Sequence, residues 1–216
     1  MEKFKTIFAK LLGFLENEKA LFLIVFIMFW VKGIIFLDPD FGWRLRAGEI
    51  FLREGIPHED PFTYSMPSFP WVDHAYSLSS LMWILYSLFG IVGLSFVFSL
   101  FALVALTVAF FGSDRKIIDS SLLVYGKAVG KNYGIFLSFP FLLSLSLTFV
   151  FFGIRAQVVT WLLLAIFLRV LFDEKLWIRF RNFVPLLFLA WANLHGGFAS
   201  GLSAFAIFVT VRAFRE

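Results

Sequence analysis

The sequence contains no cysteine and has few charged residues. Without cysteine, disulfide bonds and thiolate metal sites are excluded. Charged residues make up 16% of the 216-residue chain and hydrophobic residues 60%, whereas soluble domains carry roughly 25% charged residues. The 32 phenylalanines would be unfavourable on a water-facing surface but are well accommodated by lipid. The composition therefore predicts a polytopic α-helical membrane protein.

The N-terminal segment lacks the small-residue cleavage site of a secretory signal peptide. Residues 1–19 instead combine apolar side chains at helical spacing with several lysines. This pattern predicts a cytosolic amphipathic helix that lies on an anionic membrane surface. A helix that packs on cytosolic loops of the same protein is an equal alternative.

Six hydrophobic stretches follow this segment, at about 20–37, 91–112, 133–152, 156–172, 183–196 and 198–212. The last two are shorter than the roughly 20 residues that a span needs unless it tilts. Lys and Arg concentrate on the cytoplasmic side of membrane proteins. Counting the apolar segment 77–89 as a seventh span would place three basic clusters outside. We therefore predict a single membrane domain, 1–216, with about six transmembrane helices and both termini inside.

A long outer loop, 38–90, distinguishes this topology. Its first part predicts a helix at 43–54, because apolar residues recur at helical spacing and Gly55 follows. A second helix is expected at 77–89, lying at the outer leaflet and turning at Gly90 into the second span. Five further spans then occupy 91–212. We see no internal repeat and no second domain.

Two carboxylates, Asp38 and Asp40, follow directly on the first span. A carboxylate at the bilayer centre costs several kcal/mol, while one at the rim is solvated and still faces a lipid-borne substrate. This position makes both residues catalytic candidates. The structural alternative is that Asp38 caps the next helix, since Asp followed by Pro is a common helix start.

Two cations lie close to the same predicted membrane face. Arg155 has no acidic residue nearby in sequence, so its guanidinium is a candidate for bidentate binding of a lipid phosphate. Snorkelling to the headgroups is the alternative. Lys32 lies within the first span and needs a partner there, either an acidic group inside the bundle or a carrier phosphate.

Further binding candidates lie in the outer loop and in the last outer turn. Asn193 and His195 precede two glycines, and they are candidates to complete a cavity. A histidine that only bonds a backbone carbonyl is the more frequent case. Trp71, Asp73, His74 and Tyr76 are expected to organise the loop, with sugar stacking on Trp71 as an alternative. Arg44 lies beside the two rim carboxylates.

At residues 38–44, the sequence Asp-Pro-Asp-Phe-Gly-Trp-Arg resembles the first-loop signature of the C-type glycosyltransferase superfamily. The segment is similar to that of the oligosaccharyltransferase catalytic subunit. An acidic pair also lies there in protein mannosyltransferases and lipid A aminoarabinose transferases. The segments 71–74, 153–157 and 191–197 look like those of bacterial members. The resemblance covers essentially the whole chain but only the amino-terminal module of the family.

The resemblance implies transfer of a sugar from a polyprenyl-phosphate or polyprenyl-diphosphate carrier to an acceptor at the outer face of the plasma membrane. Asp38 matches the position of the general base, and Asp40 is the neighbouring candidate. Oligosaccharyltransferases complete a metal site with acids from the second outer loop. Here that loop, 152–157, has no carboxylate.

We therefore expect a metal-independent mechanism without a cofactor. A divalent metal bound by Asp38 and Asp40, with a neutral His74 or His195, is the alternative. Two other functions stay open: a non-catalytic module that binds a polyprenyl lipid or a partner subunit, and a small transporter. The transporter is the weakest, because no pair of spans is broken by Gly or Pro. None of these functions involves nucleic acid.

Overall fold

A computed structural model describes residues 18–66, 68–111 and 139–214. Within these ranges the chain is helical and has no β-strand, which confirms the all-α prediction; an isolated bridge joins Glu59 and Pro70. The helices are α1 (Glu18–Ile35), α2 (Phe41–Arg53), α3 (Tyr76–Phe111), α4 (Phe139–Phe151), α5 (Gln157–Phe172), α6 (Glu174–Phe180), α7 (Val184–Leu194) and α8 (Phe198–Ala213), with a 3-10 turn at Arg181–Phe183.

Two predicted elements fall largely or partly outside these ranges. Most of the amphipathic helix expected at 1–19 lies outside the described residues, and so does the first part of the third predicted span, 133–138. Helix α4 contains the remainder of that span.

One helix in the described ranges is long and apolar enough to cross a membrane, the segment Tyr76–Phe110 of α3. Helices α4, α5 and α8 are apolar but shorter. Helix α1 has 18 residues and includes the charged residues Glu18, Lys19 and Lys32. The long apolar helix agrees with membrane association, while the six spans stay a prediction.

Helix α3 is broken at Gly90, as the sequence predicted. The backbone there has φ 63° and ψ −166°, a combination open essentially to glycine alone. The break separates residues 76–89 from residues 91–111. At 1.5 Å per residue the second part is about 31 Å long, which matches the hydrocarbon thickness of a bilayer.

Small side chains hold α1 against the second part of α3. An added Cβ at Gly33 would overlap the hydroxyl of Ser95. That hydroxyl donates to the carbonyl of Trp30 at 2.8 Å, and the indole N–H of Trp30 donates to the carbonyl of Val92 at 2.9 Å. Close backbone approach through small residues, with hydrogen bonds across the contact, is typical of helix pairs in membranes.

Helix α2 lies directly on the first part of α3. Gly48 is buried, and an added Cβ there would overlap the backbone carbonyl of Ser79. The observed bounds of α2 agree with the helix predicted at 43–54. This contact fixes the part of the outer loop that carries Arg44 and begins two residues after Pro39.

Two hydrophobic cores meet at α5. The first core joins α1, α2, α3 and the beginning of α5, where Val158 and Val159 are buried. The second joins the end of α5 with α7 and α8 around Phe167 and Trp191. Helix α5 therefore packs in both cores, the first through its N-terminal end and the second through its C-terminal end.

Candidate functional site

The structure brings Asp38 and Arg155 together in an ion pair. Arg155 Nη1 lies 3.1 Å from Asp38 Oδ2. The backbone N–H of Asp40 donates to Asp38 Oδ1 at 3.0 Å. The Asp38 side chain is 9% exposed and that of Arg155 27%. Asp38 thus accepts a hydrogen bond within the turn before α2 and also binds the cation from the distant loop. It does not cap α2 as the structural alternative expected, because the N-cap residue is Asp40.

Asp40 makes different contacts. Its Oδ1 accepts a hydrogen bond of 3.0 Å from the indole N–H of Trp43. Asp40 occupies the N-cap position of α2, but its side chain accepts no backbone N–H of that helix. The residue is exposed. The two predicted catalytic carboxylates therefore have separate environments, and only Asp38 pairs with Arg155.

Cations converge on the last carbonyls of α4. Arg155 Nη2 donates to the carbonyl of Phe151 at 2.8 Å. Lys32 Nζ donates to the carbonyl of Val150 at 2.8 Å and also to that of Phe149. Carbonyls at a helix C-terminus lack intrahelical donors and carry partial negative charge. The partner that Lys32 needs is thus this helix end rather than an acidic side chain.

A cavity of about 240 Å³ opens beside the ion pair, lined by Lys32, Phe36, Leu37, Asp38, Pro39, Val150, Phe151, Phe152, Gly153 and Arg155. An apolar groove of about 670 Å³ adjoins it, lined by Ile27, Met28, Val31, Lys32, Ile35, Phe36, Phe149 and Val150. The cavity and the groove share the lining residues Lys32, Phe36 and Val150, so the groove between α1 and α4 leads to the polar cavity.

His195 lies in the turn between α7 and α8, and its Nδ1 accepts two hydrogen bonds. The backbone N–H of Gly197 donates to Nδ1 at 3.2 Å. Thr160 Oγ1 lies 2.7 Å from Nδ1 and itself accepts the indole N–H of Trp191 at 3.0 Å. The Thr160 hydroxyl is thus available as the second donor. Because Nδ1 is an acceptor, the neutral ring carries its proton on Nε2.

The surroundings of His195 keep its ring neutral. Burial, followed by the neighbouring His74 and Arg44, lowers the pKa of His195 to about 4. The ring of His74 has its centroid 5.9 Å from that of His195. The structure thus brings together the two histidines that the sequence selected separately.

Arg44 adds a buried positive charge to this cluster. The residue is 5% exposed, and its Nη1 lies 3.6 Å from Asp73 Oδ1. The Asp73 carboxylate is also buried, and it accepts the N–H of Ala75 at 2.8 Å and the hydroxyl of Ser79 at 3.0 Å. Within the described ranges, Nη1 of Arg44 has no hydrogen-bond partner.

Two predicted binding residues have other partners. The side-chain amide of Asn193 donates to the carbonyl of Leu189 at 2.7 Å, one turn earlier in its own helix. The ring of Trp71 packs against Phe51 and Phe62, with centroids 5.7 and 5.8 Å away. Trp71 therefore organises the outer loop, as the sequence indicated, and the Asn193 amide bonds within α7.

Thr160 is a residue of this cluster that the sequence analysis did not select. Its hydroxyl lies one turn into a predicted span, a place where a polar side chain needs a partner. Asp73 was expected to organise the loop, but its pairing with Arg44 was not predicted.

The two clusters are carried by the same two segments of the chain. Arg155 lies two residues before α5, and Thr160 lies in the first turn of that helix. Arg44 follows Asp40 by one turn of α2, an axial separation of about 6 Å. In the described part of the chain no group of three or more His, Asp or Glu side chains is arranged to hold a metal ion.

Comparison with known proteins gives no match: no family model, no curated protein and no solved structure matches this chain. Any functional proposal therefore rests on the residues and their geometry.

Proposed function

We propose that this protein is a multi-pass plasma-membrane enzyme that transfers a sugar from a polyprenyl-phosphate or polyprenyl-diphosphate carrier to an acceptor at the outer face. The observation that carries the proposal is the apolar groove that leads to a cavity lined by Lys32, Asp38 and Arg155. The resemblance of residues 38–44 to the first loop of C-type glycosyltransferases favours the same activity. The six-span topology with both termini inside belongs to this proposal.

The groove and cavity have the two chemical characters that a lipid-linked sugar requires. The groove side chains Ile27, Met28 and Val31 are apolar and exposed, so they offer a surface for an isoprenoid chain. At its polar end, Lys32 and Arg155 supply positive charge, which favours a phosphate. Their present partners are carbonyl oxygens and a single carboxylate oxygen.

The proposed reaction begins with competition for Arg155. A carrier phosphate that binds the guanidinium replaces Asp38 as its partner and frees Oδ2. The acceptor hydroxyl then attacks the anomeric carbon of the sugar while its proton passes to Asp38. The bond between that carbon and the carrier oxygen breaks, and its electron pair leaves with the phosphate. Arg155 and Lys32 stabilise the charge that develops on the leaving phosphate.

No metal takes part in this reaction as we propose it. Asp38 already binds an N–H and a guanidinium, and Asp40 binds Trp43. Chelator treatment tests this choice: we expect EDTA to leave the transfer rate unchanged. Activity that is lost with EDTA and restored by Mg²⁺ or Mn²⁺ would assign a metal to these carboxylates.

The deciding experiment measures sugar transfer from a polyprenyl-phosphate donor by the purified protein in lipid nanodiscs. Asp38→Asn should lower the rate by about 10²–10⁴-fold, the usual contribution of a general base. Asp40→Asn is the matched control, since it changes an exposed carboxylate two residues away, and its rate should stay within a few-fold of the wild type. Full activity of Asp38→Asn would exclude Asp38 as the base.

A second function, a lipid-binding module without catalysis, is favoured by one specific observation. Asp38 is held by a backbone N–H and by Arg155, and loop 152–157 has no carboxylate to assist it. Such a module would bind the carrier lipid in the groove and act with a partner subunit. Native mass spectrometry that detects bound polyprenyl phosphate in a protein without turnover would support this function over transfer.

A further inference from the structure

We propose that Arg44, His74 and His195 form a second binding site, which holds an oxyanion group, a carboxylate or a phosphate, of the acceptor. The inference rests on the proposed function only where it identifies the ligand as the acceptor. The anion chemistry itself depends only on the side chains of the cluster.

The guanidinium of Arg44 has an unused donor. Its Nη1 is buried and without a hydrogen bond in the described ranges. The 3.6 Å to Asp73 Oδ1 exceeds hydrogen-bond distance. The two oxygens of Asp73 accept hydrogen bonds from Ala75 and Ser79 instead. A buried charged donor without an acceptor is rare in folded proteins, so a ligand oxygen is a fitting partner.

His195 adds a second donor. Its Nδ1 is held as an acceptor by Thr160 and Gly197, which places the proton on Nε2. In the part of the chain that the structure describes, no hydrogen bond reaches Nε2. The exposed ring of His74, 5.9 Å away between centroids, borders the same space. The cluster therefore offers N–H groups to a ligand.

This arrangement favours an anion over a metal ion. A metal would need a lone pair on His195 Nε2, which requires the proton to lie on Nδ1. The N–H of Gly197 already points at Nδ1 and excludes a proton there. Arg44 repels a cation as well, and it already neutralises Asp73, the carboxylate of the cluster. A carboxylate or phosphate satisfies the donors instead.

The position of the cluster links it to the ion pair of the proposed reaction. Arg44 lies on α2, which follows Asp38, and Thr160, the partner of His195, lies on α5, which follows Arg155. The substrate class is thus a hydroxyl compound with a nearby carboxylate or phosphate.

Histidine NMR tests the site directly, since the chain has three histidines. The purified protein, with isotope-labelled histidine and in phosphatidylcholine nanodiscs without carrier lipid, is titrated with inorganic phosphate and with acetate. We expect saturable shifts of the His74 and His195 ring signals with a dissociation constant of about 1–10 mM. The exposed His58 provides the internal reference and should not respond.

Variants separate the site from general charge effects. Arg44→Gln combined with Asp73→Asn removes the cation without leaving a buried carboxylate unpaired, and should weaken phosphate binding at least tenfold. His74→Gln changes an exposed ring that does not threaten folding, and should weaken binding about threefold. These factors correspond to loss of one charged or one neutral hydrogen bond. Arg46→Gln removes an exposed cation from the same helix as Arg44 and should bind phosphate as the wild type does.

The outcomes are distinguishable. Equal shifts at His58, or none at His195, would overturn the site. Shifts that appear only in nanodiscs with phosphatidylglycerol would assign the cluster to a lipid headgroup and overturn an acceptor role. Phosphate binding that persists in a protein without sugar transfer would remove the proposed reaction while the anion site stands.

Discussion

Arg155 and Asp38 are 117 residues apart in the sequence, yet Arg155 Nη1 donates to Asp38 Oδ2 at 3.1 Å. The loop before α5 lies against the carboxylate as well, because an added Cβ at Gly153 would contact Asp38 Oδ2 at 3.4 Å. The pair thus joins the end of α1 to the start of α5. It also brings the predicted general base, Asp38, and the predicted phosphate-binding residue, Arg155, into one site.

Removing the cation from this pair should destabilise the protein. Arg155→Gln leaves Asp38, whose side chain is nine-tenths buried, without a counter-charge. Breaking a fully buried pair costs about 3–5 kcal/mol, and the partial exposure of Arg155 reduces this to roughly 1–3 kcal/mol. The double variant with Asp38→Asn should be more stable than Arg155→Gln alone. Unfolding of the four proteins in mixed detergent micelles gives the coupling free energy.

A surface pair on α2 provides the control for this cycle. Arg46 and Glu49 form an ion pair in which the arginine is exposed. Because exposed pairs contribute about 0–1 kcal/mol, Arg46→Gln should change the unfolding free energy by less than about 1 kcal/mol. Additive effects of Arg155→Gln and Asp38→Asn would show that the two residues do not interact in the folded protein.

The break in α3 gives a prediction for Gly90. Alanine at φ 63° and ψ −166° is strained, so Gly90→Ala should lower the unfolding free energy by about 1–3 kcal/mol. Gly42→Ala is the control. An added Cβ at Gly42 meets no atom within 4 Å, and alanine in a helix interior is favoured by roughly 0.5–1 kcal/mol. Equal melting temperatures for both variants would contradict a break that requires glycine.

The contact between α2 and α3 gives a prediction for Gly48. A methyl group there overlaps the backbone carbonyl of Ser79, and backbone cannot yield as a flexible side chain does. Gly48→Ala should therefore lower the melting temperature, with a free-energy cost of about 1–3 kcal/mol. Gly42→Ala, in the same helix, again serves as control. A Gly48→Ala protein as stable as the wild type would mean that α2 is not pressed against α3.

Local signals in the sequence were enough to predict parts of this fold. The helix at 43–54 was predicted within two residues of its observed start, because apolar spacing and Gly55 define it. The turn at Gly90 was predicted because one residue interrupts a long apolar run. The number of spans could not be predicted from local signals in the same way, since apolar length alone does not fix how helices cross a membrane. Within the described residues the structure supports one long helix, Tyr76–Phe110.

Long-range pairings were beyond the sequence. Arg155 was expected to bind phosphate or headgroups because no acid lies near it in sequence, whereas its partner Asp38 lies 117 residues earlier. The bond between Thr160 and His195 also spans 35 residues. Residue types at the ends of spans indicated which side chains matter. Which of them meet depends on helix packing, and a single sequence gives no measure of it.

His195 gives the last prediction, a dependence of stability on pH. Burial, His74 and Arg44 lower its pKa to about 4 in the folded protein, whereas histidine in an unfolded chain titrates near 6.5. Between these values the unfolded state binds more protons, so stability rises with pH across the window and is lost as pH falls from 6.5 towards 4. Since the ring is half-buried, solvent screening reduces the effect to about 1–2 kcal/mol.

His195→Gln should lose this part of the slope while His58→Gln keeps it, as read from melting temperatures between these pH values. If the melting temperature of His195→Gln depends on pH as that of the wild type does, the slope belongs to carboxylates, because they titrate at the lower end of the same window.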